Sequence, residues 1–286
     1  MKINAYAKIN LGLDVTKRRP DGYHEVRMVM QTISIYDEVV IERTDEPGIS
    51  LTVSRSDLPA NEDNLVYKAA KLMTDEYGLD GGIRIDLKKN IPMAAGLAGG
   101  SSDAAAVIKA VNILYGLGLS DEDLRKTGVK IGADVPYCIM GGTALSEGIG
   151  EILTPLSACP ECGLLVAKPP VGVSTAYVYK NLNIDNIEHP DIDSVIKGIE
   201  AGEIKMIARS LGNVLETVTI PEHPVIGDIK RIMTDNGAEG ALMSGSGPTV
   251  FGIFTSDDDM KQAYDRIRES GYAPELFMTG IYNPDR

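Results

Sequence analysis

Residues 83 to 115 constrain the fold of this chain more than any other stretch. Ile83, Ile85 and Leu87 alternate with polar residues, the period of a strand packed on one face. The run Pro92-Met93-Ala94-Ala95-Gly96-Leu97-Ala98-Gly99-Gly100-Ser101-Ser102 follows, and then Asp103, Ala104, Ala105, Ala106 and an apolar helical pattern to about Tyr115. Small residues let the backbone come close to an anion, and glycine accepts positive φ. The helix that follows offers unpaired N–H groups and a partial positive charge at its start. Ser101, Ser102 and Asp103 read as N-cap residues, and the two serine hydroxyls could also reach a phosphate or a magnesium ion. No Gly-Lys-Ser/Thr closes the loop, so it is not a Walker A motif, and its spacing is not that of a dinucleotide-binding turn. Taken alone it could be a plain connector; between this strand and this helix it reads as an anion site.

The rest of the chain is patterned as α+β. Ile3, Ala5, Ala7, Ile9, Leu11, Leu13 and Val15 occupy one face of a strand, with Lys8, Asn10 and Asp14 on the other. Pro20-Asp21-Gly22 marks a turn, and Glu25 to Tyr36 returns as a second strand. Asn64 to Tyr77 reads as a helix, and Ser120 with Asp123 as a capping box. Helical stretches at 193–200, 204–211 and 225–235 alternate with strands at 241–243 and 250–254. A composition shift at Ala158 to Val173 places a domain boundary there, giving domains 1–157 and 158–286 with antiparallel sheets.

Composition narrows the function classes. The 286 residues are 43% hydrophobic, enough for a sizeable core, and the formal net charge is −13. That balance argues against a nucleic-acid partner but not against a locally bound anion. No apolar run is long enough to span a membrane. Met1 to Tyr6 alternates polar and apolar and does not read as a signal peptide. Three cysteines, Cys138, Cys159 and Cys162, are expected to be free thiols of a cytoplasmic protein. A lone CxxC lacks the further ligands that a zinc site needs, and no metal ligand set is expected.

Three further features bear on chemistry. Asp134, in Gly132-Ala133-Asp134-Val135-Pro136, is either a carboxylate kept for catalysis or a capping residue. Lys8, on its own, is a solvated strand lysine. Ala241 to Val250, with Ser244-Gly245-Ser246-Gly247, is a tight hairpin or a second wall of an anion site.

In combination these motifs resemble the GHMP kinase superfamily, in its order: Lys8 to Leu13, Pro92 to Ser102, and Met243 to Val250. Arg19-Pro20-Asp21-Gly22-Tyr23-His24-Glu25, Gly148-Ile149-Gly150-Glu151, Val173-Ser174-Thr175-Ala176 and Asn213-Val214-Leu215-Glu216 narrow it to members whose substrate carries cytidine diphosphate. The match runs over nearly the whole chain.

The resemblance implies a ribosomal-protein-S5-like N-terminal domain and a ferredoxin-like C-terminal domain, with the active site in the cleft between them. It implies an ATP-dependent small-molecule kinase, with Mg2+ expected, acting as a monomer or homodimer. By it, Asp134 receives the substrate hydroxyl proton, and Lys8 beside it meets charge on the transferred group. Pro92, Met93, Ala94, Ala95, Gly96, Leu97, Ala98, Gly99, Gly100, Ser101 and Ser102 wrap the ATP phosphates, with Asn64, Leu65 and Lys89 near the adenine. Asn10, Tyr23, His24, Thr175 and Tyr179 contact the cytidine diphosphate part, although Tyr177 is an alternative to Tyr179. Kinases of mevalonate, homoserine or a sugar are the rivals, together with a non-catalytic sensor on the same fold; Tyr23-His24 argues against the first and retention of Lys8 and Asp134 against the second. Two positions depart from the pattern. Ala98 stands where glycine or serine is common, which is tolerable if its φ is negative, and Val214 stands where aspartate is common.

Overall fold

The computed structural model describes residues 1–284 and resolves two compact units. One comprises Met1–Ala7, Ile35–Ile91 and Ala98–Gly141; the other comprises Lys8–Ser34, Pro92–Leu97 and the chain from Gly142 onward. Strands β1 (Lys2–Arg18) and β2 (His24–Thr44) contribute residues to both.

In the first unit the strand order is β3-β4-β2-β1, with β3 at Gly48–Val53 and β4 at Gly82–Lys88. β4 runs antiparallel to β2, pairing Leu87 with Val39 and Ile85 with Ile41, and parallel to β3. Helices α1 (Leu65–Tyr77) and α2 (Gly99–Leu114) bury Val66, Ala69, Ala70 and Met73 with Ala104 to Ala106 and Val107 against those strands. The alanines let the two helices approach closely, and dense packing of this kind carries most of a helix's stability. Helices α3 (Asp121–Gly128) and α4 (Val135–Met140) complete the unit, adding Leu124, Val135 and Ile139 to the same core. The capping box at Ser120 and Asp123 is formed.

The second unit pairs β1 in parallel with β8 (Gly212–Asn213) and β2 with β5 (Thr143–Gly148), which pairs in turn with β6 (Ile152–Pro155). Its second sheet has the order β11-β7-β10-β9, all antiparallel, from β7 (Gly163–Lys168), β9 (Gly240–Met243), β10 (Val250–Phe254) and β11 (Glu275–Gly280). Every residue of β10 is buried. Between them run α5 (Thr175–Asn181), α6 (Ile192–Ala201), α7 (Ile204–Arg209), α8 (Glu216–Glu222), α9 (Val225–Asp235) and α10 (Asp257–Ser270).

Three expectations are corrected. β2 does not stop at Tyr36 but continues to Thr44. Asp37 and Glu38 interrupt the apolar pattern without ending the strand, because each is paired: Glu38 with Lys2 and Lys88, Asp37 with Lys89. Helix α2 starts at Gly99, earlier than its polar residues imply. Ser102 does not cap it, because its Oγ donates to the Tyr6 carbonyl. Ala98 has φ +55 rather than a negative value, and Ala94 has φ +49. Left-handed backbone costs an L-residue about 1–2 kcal/mol, so the loop holds two alanines against their own preference.

Among the described residues no disulfide joins Cys138, Cys159 and Cys162. Burial pushes the Cys162 thiol up to about 12, which disfavours its thiolate. Among the described residues no helix is long and apolar enough to cross a membrane.

Candidate active site

The second half of the glycine loop opens α2, whose cap residue, Ala98, supplies no side-chain cap bond. The first-turn N–H groups are therefore left for another acceptor. Gly99 lies close over Ile91 and Lys89, with 3.0 Å from an added Cβ to Ile91 Cγ2 and 3.3 Å to Lys89 Nζ. Gly100 would meet Leu65 Cδ1 at 3.2 Å. Leu65 thus packs beneath the helix start. Asn64 is the N-cap of α1: its Oδ1 accepts from Val66 N at 2.9 Å, and its Nδ2 donates to Pro59 O at 2.8 Å.

Lys89, expected near adenine, holds its ammonium between two buried carboxylates. It donates to Asp103 Oδ2 at 2.7 Å and to Asp37 Oδ2. Asp37 Oδ1 also accepts from Ile91 N at 2.8 Å and from Asn90 N. The chain just before the loop and the helix just after it are therefore tied through one lysine. The sequence marks Asp103 only as an N-cap candidate and does not mark Asp37 at all; the interruption of the strand pattern at Asp37 is the signal it offers.

Two carboxylates against one ammonium leave an excess negative charge in a dry site. Burial pushes the Asp103 carboxyl up to about 8, helped by the Asp37 charge and opposed by Lys89. Its Oδ1 has no hydrogen-bond partner among the described residues. Because the folded chain holds this proton where the unfolded chain does not, the associated stability is complete below the ordinary aspartate range. It is lost as pH rises through about 8. Asp103→Asn keeps an acceptor for Lys89 without ionising. Its melting temperature relative to the parent is expected to rise steadily from about pH 5 to about pH 9. Parallel pH curves for the two proteins would show that Asp103 carries no such proton.

The first half of the loop lies in the second unit with Lys8. Lys8 is not the solvated strand lysine of the simpler reading: it is 4% exposed. Its Nζ donates to Asn10 Oδ1 at 2.8 Å and to Gly96 O at 3.1 Å, leaving a third N–H. Its backbone N–H donates to Leu97 O at 3.1 Å. Asn10 is fully buried, with its Nδ2 directed at Met28 Sδ at 3.4 Å. It therefore serves the lysine and presents no surface of its own.

The Ser244–Gly247 turn takes the hairpin alternative and also reaches the glycine loop. It closes the antiparallel β9–β10 hairpin, and it packs on the loop. Ser244 Oγ donates to Gly96 O at 3.0 Å.

Tyr23 is exposed, and its neighbour His24 faces the Tyr179 ring at 5.2 Å between centroids. Burial, and then the Arg18 charge, lower the His24 pKa. Tyr177 instead points its hydroxyl at Glu222 Oε1, 2.5 Å away. Thr175 Oγ1 lies 2.8 Å from Ser246 Oγ, linking the start of α5 to the second turn. In the first unit Asp134 stands at the N-cap position of α4 but makes no side-chain capping bond.

A loop with positive φ at Ala94, Gly96 and Ala98 that leads into a helix without a side-chain cap is the kind of backbone that suits a phosphate-bearing ligand. Known proteins give the class of protein a name. The GHMP kinases N-terminal domain matches residues 64–142, and the GHMP kinases C-terminal domain matches residues 195–273. The 4-diphosphocytidyl-2-C-methyl-D-erythritol kinase of Lachnospira eligens is 52% identical over 285 residues, 99% of each chain. The enzyme of the same name from Clostridium perfringens is 45% identical over 99% of each. A crystal structure of 4-(cytidine 5'-diphospho)-2C-methyl-D-erythritol kinase superposes with a TM-score of 0.84 at 33% identity, covering 98% of this chain and 99% of that one. The chain belongs to the GHMP kinase family, on the branch of these cytidyl-substrate kinases. A homoserine kinase from Cytophaga hutchinsonii, with a TM-score of 0.76 at 22% identity, covers 99% of this chain and 93% of its own and shares the fold.

Proposed function

We propose that this chain transfers the γ-phosphoryl group of ATP to the 2-hydroxyl of 4-diphosphocytidyl-2-C-methyl-D-erythritol, releasing ADP, on the methylerythritol phosphate route to isopentenyl diphosphate. The observation that carries the reading is the 52% identity over 99% of both chains with a relative of that name. The rival acceptors have weaker support, since the homoserine kinase likeness lies at 22% identity and extends to the fold alone.

Phosphoryl transfer has a loose transition state, so positioning and charge neutralisation dominate. Pro92 to Ser102 would hold the ATP phosphates, supported by the uncapped start of α2. Lys8 would place its third N–H on the transferred group, supported by the two acceptors that fix the other two. Asp134 would take the hydroxyl proton as the new O–P bond forms and the bond to ADP breaks. Its freedom from capping supports that role. Asn64, Leu65 and Lys89 would then shape the nucleotide site from beneath, through α1 and the loop ends. Tyr23, His24 and Tyr179 would receive the cytidine diphosphate part. The ring contact with His24 supports Tyr179 over Tyr177.

Among the described residues no three His, Cys, Asp or Glu side chains are grouped to hold a metal. Mg2+ would arrive on the phosphate oxygens of ATP, where it neutralises charge on the transferred group, and Ser101 is the loop hydroxyl proposed to reach it. The cytoplasm is the proposed location.

A coupled ADP-release assay across the cytidyl substrate, mevalonate, homoserine and galactose tests the assignment. Turnover is expected with the cytidyl substrate and not with the other three. No ADP with it, but turnover of another, would sink the specific assignment and leave the kinase class standing.

A further inference from the structure

Asn213-Val214-Leu215-Glu216 is one of the motifs behind the family resemblance, yet no step of the proposed chemistry uses it. Asn213 ends β8, where it pairs with Leu13 of β1, the strand that carries Lys8. Val214 N donates to Leu13 O at 3.1 Å, and Val214 itself is buried, which suits an apolar residue there. The Asn213 amide is buried too. Its Nδ2 donates to Met243 O and to Gly245 O, each at 2.8 Å, and its Oδ1 accepts from Leu215 N at 2.9 Å. Glu216, the first residue of α8, accepts from Met243 N at 2.9 Å. Lys230 neutralises it, with Nζ at 2.7 Å from each carboxylate oxygen.

Three hydrogen bonds from this run thus fall on Met243 and Gly245. The turn they hold touches the reactive part of the unit. Gly96 O accepts from both Ser244 Oγ and Lys8 Nζ. A Cβ on Gly245 would lie 3.2 Å from Gly96 O and 3.6 Å from Lys8 Nζ, so the turn has little room to drift. A carbonyl shared by a serine and a lysine fixes the lysine only if the serine's turn is itself fixed.

We propose that Asn213 and Glu216 are positioning residues for phosphoryl transfer, holding the Met243–Gly245 turn so that the Gly96 carbonyl aims the Lys8 ammonium. The inference rests on the proposed role of Lys8. It separates two acids that look alike in sequence: Asp134 makes no capping bond, whereas Glu216 is neutralised and committed to a backbone N–H.

A double-mutant cycle in kcat tests it, at a temperature where circular dichroism shows every variant folded. Asn213→Ala is expected to lower kcat about tenfold in the parent chain but less than about twofold in the Lys8→Ala background, because it acts through Lys8. Glu216→Gln keeps the acceptor for Met243 N and is expected to stay within about twofold of the parent, whereas Glu216→Ala falls with Asn213→Ala. If Asn213→Ala does not fold, Glu216→Ala and Glu216→Gln carry the same comparison in both backgrounds. Equal losses with and without Lys8, or no loss at all, overturn the positioning role while leaving the kinase reading intact. A Lys8→Ala chain with parental kcat overturns the role of Lys8 and this inference with it.

Discussion

Asp134→Asn is expected to lower kcat about a thousandfold while ATP affinity stays within about twofold of the parent. Asparagine matches aspartate in shape but cannot accept a proton from an alcohol. The local fold should scarcely register the change. Asp134 occupies the N-cap position of α4 without a side-chain capping bond, so no helix-terminal hydrogen bond is lost. Val135 and Pro136, which begin the helix, are both buried and hold it by packing. Steady-state ADP release with the cytidyl substrate gives kcat, and equilibrium titration with a non-hydrolysable ATP analogue gives nucleotide affinity. A variant within about threefold of parental kcat would remove Asp134 from the chemistry, and proton transfer would then need another acceptor. A loss confined to ATP affinity would move Asp134 from acceptor activation to nucleotide binding.

What could be read from the sequence divides along a physical line. Periodicity locates β1, α1, β4, α9 and the β9–β10 hairpin, because each buries one clean face. It fails at β2, where Asp37 and Glu38 break the pattern and are answered by Lys89, Lys2 and Lys88, which come from other segments. It also fails at the start of α2. Ser102 and Asp103 look like caps, but their partners are the Tyr6 carbonyl and Lys89, and no local rule reveals a partner supplied by the fold. Lys8 shows the same limit from the functional side. Its residue type and strand position say solvated. Its 4% exposure and its bonds to Asn10 and Gly96 follow from segments far apart in sequence meeting on one carbonyl. The family pattern draws attention to Lys8 and to the run that begins at Asn213, but it does not say that Asn10 bonds the lysine and Asn213 the turn.

Gly96→Ala is expected to reduce kcat/KM for ATP at least about a hundredfold, and the reason is steric before it is conformational. Gly96 has φ +73, where an L-residue loses about 1–2 kcal/mol. That alone is survivable, since Ala94 and Ala98 in the same loop already take φ +49 and +55. The added Cβ, however, would stand 2.2 Å from Ser244 O and 3.2 Å from Gly247 O. Both are backbone atoms, and Asn213 and Glu216 hold the hairpin they belong to. The loop must therefore move away, and with it the carbonyl that accepts from Lys8 Nζ. Gly116→Ala separates the two effects. Gly116 has φ +61 with nothing within 4 Å of an added Cβ, so the substitution carries backbone strain alone. It is expected to lower stability by about 1 kcal/mol and leave kcat/KM within about twofold. If Gly96→Ala were as mild as Gly116→Ala, the hairpin would be yielding rather than rigid. The close fit between the two glycine turns would then be a packing contact, and Lys8 would need some other anchor than the Gly96 carbonyl.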